Sequence, residues 1–140
     1  FGVRDGLMEY LDQGVQEFKY ALVPHIGSWA NAGIVKKAYE LNAESLIITE
    51  TYHKGPLKTE CTGIKISADN IVTTVLKRAE DGDGFILRGY EINGKETFTE
   101  IELPMLKRKW RTHFGKCEIK TFFISDNPDH EVIEKNLIEM

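Results

Sequence analysis

Four histidines (His25, His53, His113, His130) and two cysteines (Cys61, Cys117) are the side chains best suited to metal or nucleophilic chemistry. No two histidines stand at the i, i+4 spacing of a helical zinc site, and no C-x-x-C occurs. Neither a zinc knuckle nor a thioredoxin-type pair is on offer. His25 follows Pro24 and lies beside Gly27, so it can line a cleft; a loop histidine held by a hydrogen bond is the plainer reading. His53 and His113 stand in polar contexts and read as exposed. The two cysteines read as free, mostly buried thiols in a reducing compartment. Asp81-Gly82-Asp83-Gly84 has the look of a calcium loop. However, Phe85, Leu87 and Ile92 stand at its fifth, seventh and twelfth positions, where oxygen ligands belong. It reads as a turn between strands. There is no G-x-S-x-G elbow, P-loop or G-x-G-x-x-G. Carboxylates are plentiful, so spacing alone picks out no acid–base pair. Residue by residue, the chain offers no catalytic group and no metal ligand set.

The bulk properties exclude several partners. The chain has 140 residues, 41% hydrophobic and 29% charged, as expected for one globular domain or part of a larger protein. Folding at this length buries roughly 68% of the unfolded surface, enough for one core. Eighteen basic residues against 22 acidic ones give a net charge of −4, which argues against nucleic acid. One basic run, Lys107-Arg108-Lys109-Trp110-Arg111, reads as a solvated strand or loop. No apolar run of about 18 residues exists, so no membrane-spanning helix is expected. The first residues carry acids and glycines where a signal peptide is apolar. The chain opens on Phe1 without an initiator Met, as an excised piece would.

The elements that must position these residues are mostly strands. Residues 17–24 alternate, with Phe18, Tyr20 and Leu22 on one side, and predict a strand. Pro24 to Ser28 breaks it, and Ser28 is a candidate N-cap. Ala30, Ile34, Val35, Ala38 and Leu41 predict one amphipathic helix over 29–41, with Trp29 as its first buried residue. Residues 45–51, 63–67, 71–78, 85–91, 96–103 and 118–124 predict further strands. Asn93-Gly94 is the strongest hairpin signal and predicts pairing of 85–91 with 96–103. The fold class is mainly β: an antiparallel β-sandwich, with one short helix crossing between early strands. The sandwich is expected over 1–125, and 126–140 as a tail that is either helical or frayed, with Val132, Ile133, Leu137 and Met140 on one face.

Three stretches go further: Gln16 through Trp29 (QEFKYALVPHIGSW) with the following AYELN at 38–42, Asp69 through Glu91, and Cys117 through Phe122. In order and spacing they resemble the C-terminal β region of α-mannosidases of glycoside hydrolase family 38, from about Gly14 to Ile124. Two departures are visible: Ala43 follows Asn42 where relatives continue into Leu-Asn-Pro, and Lys116-Cys117 replaces a Pro-Phe pair. The resemblance implies a retaining exo-α-mannosidase acting on terminal mannose of an oligosaccharide. It implies a zinc ion, an aspartate nucleophile and a second carboxyl group, all in an N-terminal catalytic domain. None of those residues maps onto this chain, so no catalytic or metal residue is assigned here. The expected role is to pack on that catalytic domain and complete the active-site wall, in a cytoplasmic enzyme inactive as this piece alone. His25, Trp29 and Arg88 are the candidates for facing substrate. Trp29 can stack on a sugar, and Arg88 can reach a sugar or pair with Glu80 across the turn. The alternatives are a carbohydrate-binding sandwich with a row of Tyr90, Phe98 and Trp110, or an interaction module that forms a homo-oligomer.

Overall fold

The structure, a computed structural model, describes residues 14–43, 45–56, 58–80 and 82–139. It falls into two units that divide between Ile48 and Thr49. Asp81 and Met140 lie outside the described residues.

The first unit holds the one α-helix among the described residues, α1 (Ile34–Asn42). The periodicity predicts a start near Trp29, but residues 29–33 form turns instead. Ser28 does not cap the helix, whose N-cap is Gly33 without a side-chain hydrogen bond; its Oγ instead accepts the Asn31 amide at 3.3 Å within the preceding turns. Gly33 then adopts φ +64, a left-handed conformation that stops the first turns from running on into α1. Trp29 is accordingly 50% exposed, not buried. The strands predicted over 17–24 and 45–51 do not form; both segments lie outside any ladder. The helix therefore lies between two segments without strand assignment and not between two strands.

The second unit is a sandwich of two antiparallel sheets. Its strands are β1 (Lys65–Ile66), β2 (Ile71–Arg78), β3 (Gly84–Glu91), β4 (Thr97–Leu103), β5 (Arg108–Phe114), β6 (Ile119–Ser125) and β7 (Ile133–Lys135). One sheet runs β1-β4-β5 and the other β2-β3-β6-β7. The turn before Gly84 joins β2 to β3 as expected, with the Ala79 amide donating to the Gly84 carbonyl at 2.9 Å. The Asn93-Gly94 turn does not make a hairpin. β3 pairs with β2 and β6, β4 pairs with β1 and β5, and the turn carries the chain from one sheet to the other. The tail is a strand and not a helix: Ile133, Glu134 and Lys135 pair with Phe123, Phe122 and Thr121 of β6. Bends and turns over 126–130 remove the run a helix would need.

Period two decides the core. Ile71, Leu87, Phe122 and Ile124 from one sheet meet Ile101, Leu103 and Phe114 from the other. Ile64, Ile66, Phe85, Trp110 and Val132 close the margins. Phe122 stands edge-on to both Trp110, at 5.6 Å between centroids, and Phe114, at 6.2 Å. The basic run is thus half internal. Alternation along β5 sends Trp110 toward the core while Lys109 and Arg111 stay exposed.

Candidate functional site

Each substrate-facing candidate has a defined setting within its own unit. His25 is exposed in the loop after 17–24, where its ring Nδ1 donates to the Val23 carbonyl at 2.9 Å. Trp29 follows at the head of the turns that lead to α1, and its carbonyl accepts the Ile34 amide at 3.2 Å.

Arg88 belongs to β3 in the second unit. Its Nε donates to Thr121 Oγ1 at 3.0 Å, and its Nη2 to the Leu137 carbonyl at 2.8 Å and to Glu139 Oε1 at 3.3 Å. Glu139 also accepts Lys77 Nζ at 2.9 Å, and this contact is the main reason the Lys77 ammonium is held above its ordinary pKa. The expected Glu80–Arg88 pair is absent; Glu80 lies 3.7 Å from Lys77 instead. Arg88 and Lys77 therefore fasten the C-terminal segment to the sheet.

The aromatic row Tyr90, Phe98 and Trp110 does not exist as a row. Tyr90 is on β3 of the larger sheet, Trp110 packs toward the core, and Phe98 points outward from β4. Phe98 is 82% exposed and lies against its cross-strand partner His113, ring centroids 4.5 Å apart. His113 is half-buried, not exposed as its polar neighbours suggest. Beside this pair, Glu100 accepts Lys109 Nζ at 2.7 Å and Arg111 Nε at 3.3 Å. The Lys109 contact is the largest influence holding the Glu100 carboxyl below its usual range. Ser67, Phe98, Glu100, Arg111 and His113 line one open concavity of about 710 Å³. It combines an aromatic platform with paired charges on the outer face of the smaller sheet. Nothing in the local sequence marks it, because register alone puts Phe98 opposite His113 and Glu100 opposite Arg111.

Glu91 and Arg108 also escape sequence reading. Glu91, 1% exposed, accepts from Asn70 Nδ2 at 2.7 Å and from the amides of Asn93, Lys95 and Cys117 at 2.7, 3.1 and 3.0 Å. Burial alone pushes its carboxyl up; those hydrogen bonds outweigh it and hold the pKa below the ordinary value. Arg108 clamps the turn after β6 by donating to the carbonyls of Pro128 and Asn127, each at 2.6 Å, and Ser125 at 3.1 Å. Both cysteines are free and exposed, which corrects the expectation of buried thiols. Among the described residues, no three His, Cys, Asp or Glu side chains gather as a metal site. No helix among them is long and apolar enough to cross a membrane.

Comparison with known proteins adds the family context. Residues 70–122 match the model of the glycosyl hydrolases family 38 C-terminal beta sandwich domain. Alpha-mannosidase G of Dictyostelium discoideum is 35% identical over 99 residues, 67% of this chain and 9% of that protein. Alpha-mannosidase 2C1 of Homo sapiens is 32% identical over 99 residues, with the same two shares. A putative mannosylglycerate hydrolase of Halalkalibacterium halodurans is 31% identical over 77 residues, 55% of this chain and 9% of that protein. The matched part of the chain thus spans about a tenth of the length of these curated relatives. No solved structure matches it.

Proposed function

We propose that this chain, which over residues 70–122 matches the C-terminal beta sandwich domain of glycosyl hydrolases family 38, is a non-catalytic part of an α-mannosidase. In this reading the intact protein removes terminal α-linked mannose with retention, in the cytoplasm. This domain packs on the catalytic domain and helps to shape the active site. The observation that carries the reading is where the match falls: 70–122 takes in β2 to β5 and the first residues of β6, which supply the core residues Ile71, Leu87, Ile101, Leu103, Phe114 and Phe122. The likeness is therefore to the folded body of the sandwich. The zinc proposed for the intact enzyme does not fit the described residues of this chain, where no His/Asp cluster gathers to ligate it. It is proposed to belong to the catalytic domain.

Assay of the intact protein and of the 140-residue chain on an aryl α-mannoside tests this. The intact protein is expected to turn over, to lose activity on chelation and to regain it with zinc. The chain alone is expected to give no turnover. Activity from the chain alone would overturn the non-catalytic role, and an inactive intact protein would overturn the mannosidase assignment.

A second reading has one specific observation behind it: Phe98, the exposed aromatic ring on the outer face of β4, lies beside Glu100 and Arg111. An aromatic face flanked by charged hydrogen-bonding groups suits a sugar ring. Titration of the chain with mannose, alongside Phe98→Ala, decides it; no binding at millimolar sugar removes this reading.

A further inference from the structure

The first unit exposes far more apolar surface than a finished fold tolerates. Phe18, Tyr20, Leu22, Leu46, Ile47 and Ile48 are between 77% and 88% exposed. Isolated exposed apolar residues are ordinary, but a run of them in two segments marks a surface meant to be covered. Both segments have strand character. Phe18 and Tyr20 stack along one side of the chain with centroids 6.2 Å apart, as i, i+2 side chains do on an extended backbone. Neither segment joins a ladder among the described residues. Pro24 and the left-handed Gly27 (φ +84) end the first segment where a strand would end.

We infer that residues 16–24 and 45–51 are strands of a sheet whose other strands and cover come from the larger body of the same intact protein. The inference deepens the mannosidase reading and rests on it for the identity of that body. The two segments differ in what they need. Residues 16–24 alternate, so one face must be covered. Leu46-Ile47-Ile48 is apolar on both faces, the pattern of a strand buried within a layered body. A second copy of this chain, pairing edge to edge, would satisfy backbone groups but leave those faces in water. A larger body of the same protein supplies both, and the relatives are about ten times longer than the matched region. The partner is thus recognised by main-chain hydrogen bonds along the strand and by apolar pockets for alternate side chains.

Amide hydrogen exchange of the intact protein and of the 140-residue chain is the test. Amides of 16–24 and 45–51 should exchange roughly 100-fold more slowly in the intact protein than in the chain. Fast exchange in both would overturn the inference. Protection in the chain that grows with its concentration would overturn it in favour of self-pairing. Protection in a dilute, monomeric chain would show that the segments complete themselves and would overturn it too. In the intact protein, Leu22→Lys should remove the protection over 16–24 while the amides of β3 remain slow. Unchanged protection in that variant would count against burial of the Leu22 face. Mannosidase activity is read separately: an inactive protein that still protects both segments sinks the enzyme reading and leaves the docking intact.

Discussion

At the scale of single residues, the sandwich is organised around one buried carboxylate. Glu91 gathers the amides of Asn93, Lys95 and Cys117, and so ties the sheet-to-sheet crossover to the turn before β6. Removing it strands several buried donors at once. Glu91→Gln is expected to cost about 2 kcal/mol in urea unfolding, because a neutral amide offers only one acceptor oxygen to donors that now share two. The carboxyl pKa lies below its unfolded value of 4.5, so its contribution is complete above that pH. Stability should fall as the pH drops below about 4.5 toward the lowered folded value, and Glu91→Gln should flatten that fall. Glu100 is the contrast. Its partners Lys109 and Arg111 are exposed, so Glu100→Gln should shift unfolding far less than Glu91→Gln. A glutamate ahead of an Asn-Gly turn is the only local hint of the Glu91 knot, and it is a weak one. The donors that define it come from residues as distant as Asn70 and Cys117.

At the scale of elements, β3 is the strand on which the larger sheet is built, lying between β2 and β6. Two of its glycines allow that close approach. A Cβ on Gly84 would run into the Ile124 carbonyl, whereas one on Gly89 would stand 3.0 Å from the Val72 carbonyl. Gly84→Ala is therefore expected to destabilise by about 2–3 kcal/mol, and Gly89→Ala by less, measured by chemical denaturation. The C-terminal segment is the second structural device. Beyond β7, Ile138 and Glu139 share a recess with Ile86 on the outer side of β3, and Glu139 holds Lys77 and Arg88. Removing residues 131–140 should lower the melting temperature by about 5 °C or more and raise binding of an apolar dye, as Ile86 loses its cover. β2, β3, β4 and β6 are legible in the sequence to within a residue or two: β2 is rich in branched residues, β3 alternates, and turn signals bound the segments. β7 is missed because Ile133-Glu134-Lys135 is too short to carry a period, and only the edge of β6 makes it a strand.

At the scale of the whole molecule, the two units differ in how complete they are. The second closes a core between two sheets, with Phe114 and Ile124 wholly enclosed. The first offers strand-patterned chain to solvent. Full burial of a side chain such as Leu22 or Ile48 contributes about 1.5–3 kcal/mol, so covering several of them is a strong drive to association. The isolated 140-residue chain should consequently bind an apolar dye while still monomeric. Dye fluorescence at low chain concentration checks this, and Leu22→Lys together with Ile47→Lys should reduce it. In the intact protein the same surface is expected to be internal, so those changes should there reduce folding yield and activity instead.

Local physics settles a good part of this chain from the sequence alone. Branched residues in 71–78, alternation in 85–91 and the apolar positions of 96–103 and 118–124 favour strands, and the glycine-rich turn before Phe85 favours a reversal. Long matched stretches carry the family likeness without any coordinates. Which strands pair is another matter. Asn93-Gly94 specifies a tight turn through its backbone preferences, but a turn specifies only a change of direction. Whether the chain returns along β3 or crosses to the facing sheet depends on where other edges lie and on which face must be buried. The Glu91 hydrogen bonds and the apolar side of β4 resolve that in favour of crossing. Residues 17–24 show the same limit from the other side. Their pattern states a readiness to be a strand, and a strand exists only where another edge meets its hydrogen bonds. That condition is met by tertiary structure and never by a segment alone.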